Sequence, residues 1–238
     1  MKKKYRDESG LYLLEGIKPL EDALDMGIEL RTIFVRDDVD IHGVFPGEKT
    51  VILDRELFSR LSETRTSQGV IAVAEKNSYD EESFAAAVSP GNILIMDRLQ
   101  DPGNIGTIIR TAEAAGYKGI VMMAGSGDVY APKVVRAAAG SLFRMPIINI
   151  CSVAEAVRMM ERLDKKIVVT CLDTQLSCFA ADMTEDIALV IGNEGRGVSE
   201  GFMDASHMKV KIPMAGSIES LNAAVAAGIL MYQSQKIK

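Results

Sequence analysis

A regular alternation of short apolar segments and longer helical segments constrains the fold of this 238-residue chain more than any other feature. The alternation begins at residue 92 and continues almost to the C-terminus. Strands that alternate with helices form βαβ units, so we expect a mostly parallel sheet with ligand-binding loops at the carboxyl ends of its strands. The predicted strands are residues 92–96, 119–123, 146–150, 167–171, 187–191 and 208–212, and the predicted helices are residues 105–115, 132–139, 153–163 and 220–233.

The first 76 residues predict a smaller α/β unit. Helical spacing over residues 17–26 is closed by Gly27, which we expect to cap that helix, and a second short helix is predicted at residues 56–61. Residues 11–14 form an apolar run, and three further runs have the length and β-branched content of strands. These three runs are residues 32–35, 50–53 and 69–74.

A polar stretch separates the two predicted units. It leads into a short helix that ends before Ser89-Pro90-Gly91, and proline and glycine together mark a chain break. We therefore predict an N-terminal domain of residues 1–76, a linker of residues 77–90 and a C-terminal domain of residues 91–238.

The chain is acidic, with a formal net charge of −6 and a pI of about 5.1. Residues 1–76 contain 12 Lys and Arg against 15 Asp and Glu, and the remainder contains 15 against 18, so each part has a net charge of −3. Phosphate contacts usually leave a basic footprint. The composition therefore argues against a broad nucleic-acid-binding surface, and any RNA site has to be a local patch.

The sequence predicts a cytoplasmic protein without a membrane span or a metal centre. No window approaches 18 consecutive apolar residues, and the charged first eight residues are not followed by the apolar region of a secretory signal. Three cysteines form an odd set without a C-x-x-C pair, which indicates reduced thiols. Because His42 and His207 are far apart in the sequence, a histidine-based metal site is not expected. The cysteines are Cys151, Cys171 and Cys178.

The segment from Asp101 to Arg110 leads from a predicted strand into a predicted helix. We expect Asn104 to be the N-cap of that helix and Gly106 to lie in its first turn, which leaves backbone N–H groups open to an oxygen-rich ligand. Arg110 would stand beside the buried face, and a capped helix with a solvated arginine explains the same pattern. The expected buried stripe is Ile105, Ile108, Ile109 and Ala112.

A glycine-rich loop, residues 192–199, follows the predicted strand 187–191. Its three glycines within six residues allow positive φ and a close approach of the backbone to a flat ligand. Their spacing fits neither the dinucleotide fingerprint nor a Walker A loop. Glu194 could face a cationic or hydroxyl-bearing ligand, and a plain turn is the alternative.

A third loop, residues 212–222, enters a helix that is rich in alanine and glycine. Small residues permit close helix packing, which accounts for the helix itself. Ser217, Ser220 and Asn222 are harder to explain by packing, because serine and asparagine suit a helix start but not its interior.

Together these loops resemble the three signature motifs of the SpoU (TrmH) family in the SPOUT class of RNA 2′-O-ribose methyltransferases. N-x-G-x-x-x-R is matched by Asn104, Gly106 and Arg110, and G-x-E-G by residues 192–195. Residues 133–144 also look like the family, although Ala224 stands where many relatives have a serine. The motif I-P-M-x-G-x-x-x-S-L-N is matched by Ile212, Pro213, Met214, Gly216, Ser220, Leu221 and Asn222.

The resemblance extends to the N-terminal domain. Residues 14–16 and 67–73 look like the family's substrate-binding domain, which is similar to ribosomal protein L30e. For the C-terminal domain the resemblance implies an α/β fold tied in a deep trefoil knot, although general topology rules would predict no knot. It also implies a homodimer in which each active site draws on both chains.

The resemblance implies S-adenosyl-L-methionine as methyl donor and assigns residues to the site. Arg110 is the catalytic candidate. Because its guanidinium stays protonated, it would act as an electrostatic clamp on the incipient alkoxide and the adjacent phosphate. Asn104, Glu194, Ser217 and Asn222 would orient the ribose or the cofactor. The residues expected to bind the cofactor are Gly192, Asn193, Glu194, Gly195, Ile212, Met214 and Leu221.

The predicted function is methyl transfer to a ribose 2′-hydroxyl of structured RNA. We favour 23S ribosomal RNA over transfer RNA, because the appended N-terminal domain is more typical of relatives that act on large-subunit ribosomal RNA. A non-catalytic RNA-binding paralogue and an unrelated α/β enzyme for a small molecule are the alternatives. No residue identifies the methylated nucleotide.

Overall fold

The computed structural model describes residues 1–40, 45, 47–64, 66–184, 186–218 and 220–235, so His42 lies outside the described residues. The chain divides into two compact units. The N-terminal unit comprises residues 1–77 and 128–144, and the C-terminal unit comprises residues 78–127 and 145–238. Residues 128–144 thus belong by their contacts to the N-terminal unit, and the domain boundaries derived from the sequence stay a prediction.

The N-terminal unit is built on a mixed four-stranded sheet in the order β1-β4-β2-β3. β4 pairs antiparallel with both of its neighbours, whereas β2 and β3 are parallel. Gly27, at φ 72°, follows the last residues of α2 and ends this helix as expected. The strands are β1 Leu11–Glu15, β2 Leu30–Arg36, β3 Thr50–Leu53 and β4 Val70–Glu75, and the helices are α1 Lys3–Ser9, α2 Ile17–Asp25, α3 Arg55–Leu61, α6 Pro132–Ala138, α7 Ser141–Arg144 and a 3-10 turn Gly47–Lys49.

An ion pair and an aromatic contact hold residues 128–144 within this unit. Arg6 is 5% exposed and donates to Asp128 from Nε at 2.9 Å and from Nη2 at 2.7 Å. The rings of Tyr12 and Tyr130 pack with their centroids 4.7 Å apart. Removing Asp128 would leave the buried Arg6 charge without a partner, which destabilises a protein strongly. The ion pair therefore ties α1 to the segment that contains α6 and α7.

The two stretches that resemble the family's substrate-binding domain meet at the end of β1, where the Gly16 N–H donates to the Val70 carbonyl at 3.0 Å. The carboxylate of Glu15 accepts hydrogen bonds from the Ser62 and Thr64 hydroxyls, and Gln68 Oε1 accepts from the Ile17 N–H at 2.9 Å. Burial works to raise the pKa of Glu15, but the hydroxyl donors outweigh burial and lower the pKa below its usual value. The loop before β4 is therefore fastened to β1 through side chains.

The C-terminal unit contains a six-stranded sheet in which every pairing is parallel. The strand order is β10-β8-β9-β5-β6-β7. β5 and β6 are buried along their whole length and β9 is buried from Ile187 to Ile191, as their continuous apolar runs predict. The strands are β5 Ile93–Asp97, β6 Gly119–Met123, β7 Ile147–Ile150, β8 Lys166–Thr170, β9 Ile187–Gly192 and β10 Met208–Val210, and the helices are α4 Glu81–Val88, α5 Pro102–Ala114, α8 Val153–Arg162, α9 Glu200–Ala205 and α10 Ala223–Gln233.

The predicted α/β class with a mostly parallel sheet is confirmed, and the six predicted strands of the C-terminal unit are all present. Three short helices, α1, α7 and α9, were not predicted. α7 and α9 have only four and six residues, and α1 has Tyr5 as its only apolar side chain, so none of the three displays a helical period of apolar residues. α10 begins at Ala223, three residues later than predicted, because Asn222 is its N-cap.

β5 and β9 lie side by side at the centre of the sheet, although 89 residues separate the end of one from the start of the other. Their register pairs Asp97 with Gly192, so both strands end at the same level. The chain runs from β5 outward through β6 to β7 and then crosses to the other side of the sheet. Loops at such a reversal of strand order form ligand sites, and the loops after β5 and β9 are two of the three motif loops.

Candidate active site

The start of α5 differs from the sequence prediction. Asp101 is the N-cap, and its side chain accepts the Asn104 N–H at 2.8 Å. Pro102 takes the first helical position, where its fixed φ and missing N–H are favourable. The prediction of Asn104 as N-cap is therefore wrong, and Gly106 lies in the second turn rather than the first. The predicted stripe is buried as expected: Ile105, Ile108, Ile109 and Ala112.

The glycine-rich loop after β9 folds back on itself. Asn193 and Gly197 exchange backbone hydrogen bonds at 3.1 and 2.9 Å, and Asn193 Oδ1 accepts the N–H groups of Gly195 and Arg196 at 3.0 Å each. Gly192 lies at the base of the loop, where a Cβ would be 2.3 Å from the backbone atoms of Gly197 and Val198. The glycine there serves the close approach of the loop to itself, and the loop presents Glu194 to solvent at its tip.

The third loop follows β10 and ends at Asn222. The Asn222 side chain caps α10, with Oδ1 accepting from Ala224 N at 2.9 Å and from Val225 N at 3.3 Å. This cap fixes the orientation of the amide, because Oδ1 is engaged with two donors. Nδ2 is left to point away from the helix.

One chain of hydrogen bonds joins all three loops. Asn222 Nδ2 donates to Asn104 Oδ1 at 2.9 Å, and Asn104 Nδ2 donates to Glu194 Oε1 at 3.1 Å. Residues 104, 194 and 222 are far apart in the sequence, yet each comes from a different signature motif. Because the α10 cap fixes the Asn222 amide, it determines which amide donates at each step of this hydrogen-bonded chain. The last donor, Asn104 Nδ2, holds the Glu194 carboxylate.

Arg110 and Ser217 are exposed, and within the described part of the protein neither side chain hydrogen-bonds to another residue of this chain. Arg110 is six residues after Asn104 on α5. At 100° and 1.5 Å per residue, it lies about 120° around the helix and about 9 Å along it from Asn104. The structure thus brings Asn104, Glu194 and Asn222 together and leaves Arg110 on a different face of the helix.

The remaining predicted residues suit an organic cation with an apolar portion. Ile212, Met214 and Leu221 are half-buried, and the exposed Glu194 supplies a negative charge at the same group of loops. Among the described residues no cluster of three His, Cys, Asp or Glu side chains could hold a metal ion. The donor set fits the sulfonium, ammonium and apolar parts of S-adenosyl-L-methionine.

Asp97 and Arg98, at the end of β5, were not among the residues predicted from the sequence. Asp97 is 1% exposed, and its carboxylate accepts from Ser199 N at 2.6 Å and from Arg98 Nε at 3.0 Å. Asn193 Nδ2 donates to the Arg98 carbonyl at 2.8 Å. The signal that could have identified Asp97 is a carboxylate at the carboxyl end of an otherwise apolar strand.

Two family models match this chain. Residues 91–232 match the SpoU rRNA Methylase family, and residues 1–72 match an MRM3-like substrate binding domain.

No helix among the described residues combines the length and apolar character that a membrane crossing needs.

Curated relatives cover nearly the whole chain. The 23S rRNA (guanosine(2553)-2′-O)-methyltransferase RlmP of Bacillus subtilis is 34% identical over 231 residues, which are 97% of this chain and 90% of the relative. A 23S rRNA (uridine(2479)-2′-O)-methyltransferase of Streptomyces viridochromogenes is 32% identical over 252 residues, at 96% and 84% coverage.

Solved structures agree with these matches. The SpoU methyltransferase AviRb from Streptomyces viridochromogenes in complex with AdoMet has a TM-score of 0.86 at 30% identity and covers 98% of this chain and 92% of its own. AdoMet-bound rRNA methyltransferase from Sinorhizobium meliloti has a TM-score of 0.88 at 28% identity, with 98% and 90% coverage. The predictions of a methyltransferase and of S-adenosyl-L-methionine as its cofactor are confirmed, and the chain belongs to the SpoU rRNA methylase family.

Proposed function

We propose that this protein transfers a methyl group from S-adenosyl-L-methionine to a ribose 2′-hydroxyl of 23S ribosomal RNA. The observation that carries the proposal is the hydrogen-bonded chain Asn222–Asn104–Glu194, which unites the three signature loops that follow β5, β9 and β10. Relatives named for 23S rRNA methylation support ribosomal over transfer RNA. The nearly full-length match to them, including residues 1–72, supports RNA binding by the N-terminal domain.

The cofactor site lies along the second and third loops. Gly192, Asn193, Glu194 and Gly195 line it on one side, and Ile212, Met214 and Leu221 on the other. When bound, S-adenosyl-L-methionine supplies a methyl group on a sulfonium centre. Asn104 fixes the Glu194 carboxylate, which then attracts the cationic ligand. The half-buried apolar side chains exclude water from the ligand, and Ser217 and Asn222 help to orient the ribose.

Arg110 acts on the nucleophile. Its permanently charged guanidinium stabilises the incipient alkoxide and holds the adjacent phosphate. A conventional base would have to release its proton near neutral pH, which arginine does not do. Since Arg110 and Asn104 occupy different faces of α5, Arg110 serves the site of a second protomer rather than its own.

A homodimer follows from that assignment, and the surface of α10 supports it. This helix has no charged residue, and Val225 and Tyr232 are 53% and 50% exposed. They are seven residues apart and so share a face, together with the half-buried Ile229. An exposed apolar stripe of this kind marks a protein interface. α10 packs on α5, so Arg110 lies on the helix next to the stripe. Light scattering of the purified protein should give twice the mass of one chain.

Two further features belong to this proposal. The C-terminal part of the chain is tied in a trefoil knot, which is supported by the insertion of β9 between β8 and β5 in the sheet. The protein works in the cytoplasm, where ribosomal RNA is accessible and thiols stay reduced. The three free thiols of Cys151, Cys171 and Cys178 support that compartment.

The test is transfer of labelled methyl groups to unmodified 23S ribosomal RNA and transfer RNA transcripts, with products mapped by mass spectrometry. We expect one 2′-O-methylated position in 23S ribosomal RNA. Methylation of transfer RNA alone would reassign the substrate, and methylation of a base would reject the 2′-O chemistry. No incorporation into naked RNA or ribosomal particles, despite cofactor binding, would identify a non-catalytic paralogue.

A further inference from the structure

The buried carboxylate of Asp97 reaches the far end of the glycine-rich loop. Asp97 is the last residue of β5, and Oδ2 accepts the Ser199 N–H at 2.6 Å. Ser199 is the N-cap of α9, where the loop gives way to the helix. A short hydrogen bond from a backbone N–H to a charged, buried acceptor is stronger than one between neutral groups. Asp97 therefore fixes the point at which the loop ends.

Arg98 fixes the point at which the same loop begins. Its φ of 61° is in the left-handed region, which is uncommon for arginine. In this conformation the Arg98 carbonyl accepts Asn193 Nδ2 at 2.8 Å, while the guanidinium donates to Asp97 at 3.0 Å and reaches the Gly197 carbonyl at 3.5 Å. The ion pair with Asp97 stabilises the unusual backbone that places the carbonyl.

Between these two points the loop is braced internally. Asn193 and Gly197 bond to each other, and Asn193 Oδ1 bonds to the two N–H groups in between. Because these internal hydrogen bonds keep the loop rigid, the positions of its two ends determine its orientation. A small rotation about those ends would move Glu194 out of reach of Asn104 Nδ2.

We propose that Asp97 is a positioning residue for cofactor binding, acting through Ser199 and Arg98 on both ends of the loop of residues 193–197. This inference rests on the proposed placement of S-adenosyl-L-methionine against that loop. Asp97 itself touches neither the cofactor nor the RNA. Its carboxylate anchors the loop to the end of β5, a buried strand of the core.

The test is Asp97→Asn, which keeps the shape of the side chain and removes its charge. We expect the dissociation constant of S-adenosyl-L-methionine, measured by calorimetry, to rise about tenfold, while kcat at saturating cofactor stays within about threefold of wild type. A merely structural role would lower the folded fraction, and so lower kcat, without changing the dissociation constant. An unchanged dissociation constant in folded Asp97→Asn protein overturns the proposal.

Asp128→Asn is the matched control, because Asp128 likewise pairs with an arginine but lies in the N-terminal unit. It should lower the thermal midpoint and leave cofactor affinity unchanged. Should Asp97→Asn fail to fold, Ser199→Pro removes the same hydrogen bond at a residue whose φ of −65° suits proline. It should weaken cofactor binding in the same direction, and wild-type affinity in this variant also rejects the proposal.

A third arm separates this inference from the site assignment on which it rests. Gly192→Ala distorts the loop directly, because the new Cβ would meet backbone atoms 2.3 Å away. If Gly192→Ala weakens cofactor binding and Asp97→Asn does not, the loop binds the cofactor and only the role of Asp97 is rejected. If neither variant changes the affinity, the cofactor lies elsewhere and the site assignment is rejected as well.

Discussion

Replacing Asn104 by aspartate tests the hydrogen-bonded chain that joins the three loops. In the native protein the α10 cap engages Asn222 Oδ1, so Asn222 donates to Asn104 and Asn104 donates to Glu194. An aspartate at position 104 has no donor for Glu194. It instead places a second carboxylate oxygen where the amide nitrogen stands, 3.1 Å from Glu194 Oε1.

The size of the effect follows from that distance. Two unit charges about 3 Å apart repel by about 1.3 kcal/mol at the dielectric constant of water, which suits exposed groups such as Glu194. The lost hydrogen bond adds about 1 kcal/mol. A loss of about 2 kcal/mol corresponds to a decrease of about 30-fold in kcat/KM near pH 8. At acidic pH one proton shared between the two carboxylates restores a donor, so the deficit should shrink towards about pH 5.

The assay is methyl transfer to unmodified 23S ribosomal RNA, with the ratio of variant to wild-type kcat/KM recorded from about pH 5 to about pH 9. Asn149→Asp is the control, because Asn149 is an exposed asparagine on β7 and gains the same charge. Its ratio should stay close to one throughout. An Asn104→Asp ratio that is flat across the pH range would refute the carboxylate pair and with it the assigned direction of the hydrogen bonds.

Three other variants have defined outcomes. Gly192→Ala should abolish detectable cofactor binding in calorimetry, whereas Gly47→Ala, where a Cβ meets open space, should bind normally. Arg110→Ala should keep cofactor affinity but reduce transfer roughly 100- to 1000-fold, the usual loss for one donor to a developing oxyanion. Asp186→Ala should lower thermal stability at neutral pH, because it leaves the buried Lys165 ammonium without its 2.6 Å partner.

The expected pH dependence of the Asp186 variant follows from the hydrogen bond and charge of Lys165, which hold the pKa of Asp186 below its usual value of 3.8. A carboxyl with a lowered folded-state pKa stabilises the protein above that value and loses its contribution as the pH falls. The gap in thermal midpoint between wild type and Asp186→Ala should therefore close below about pH 4. A gap in thermal midpoint that is independent of pH would contradict this account of Asp186. Wild-type turnover in Arg110→Ala would contradict the catalytic role of Arg110.

The sequence predicted the sheet well because buried parallel strands are continuous apolar runs, and β5, β6 and the first five residues of β9 are buried. The start of α5 was misplaced because two candidate capping residues, Asp101 and Asn104, lie three positions apart, and Asp101 followed by proline is the better start. Motif spacing could identify Asn104, Glu194 and Asn222 as separate candidates. It could not predict their hydrogen bonds, which depend on long-range strand order and on the amide orientation that the α10 cap imposes.

The same limit explains why Asp97 was missed. In the sequence it follows Ile93 to Met96 as a polar residue at the end of a strand, and nothing local shows what its carboxylate meets. Its partner Ser199 is 102 residues away. The register of β5 on β9 brings the two together, and that register is a property of the folded sheet.

The discontinuous make-up of the N-terminal unit limits how the chain can be cut. Since this unit comprises residues 1–77 and 128–144, the polypeptide passes between the two units three times rather than once. A fragment ending near residue 77 would lack α6 and α7, and with them the partner of Arg6. The N-terminal unit is therefore not a detachable module, and a functional transplant or domain exchange has to carry both segments. The buried apolar residues that such a fragment would lose are Val129, Val134, Val135, Ala138, Leu142 and Phe143.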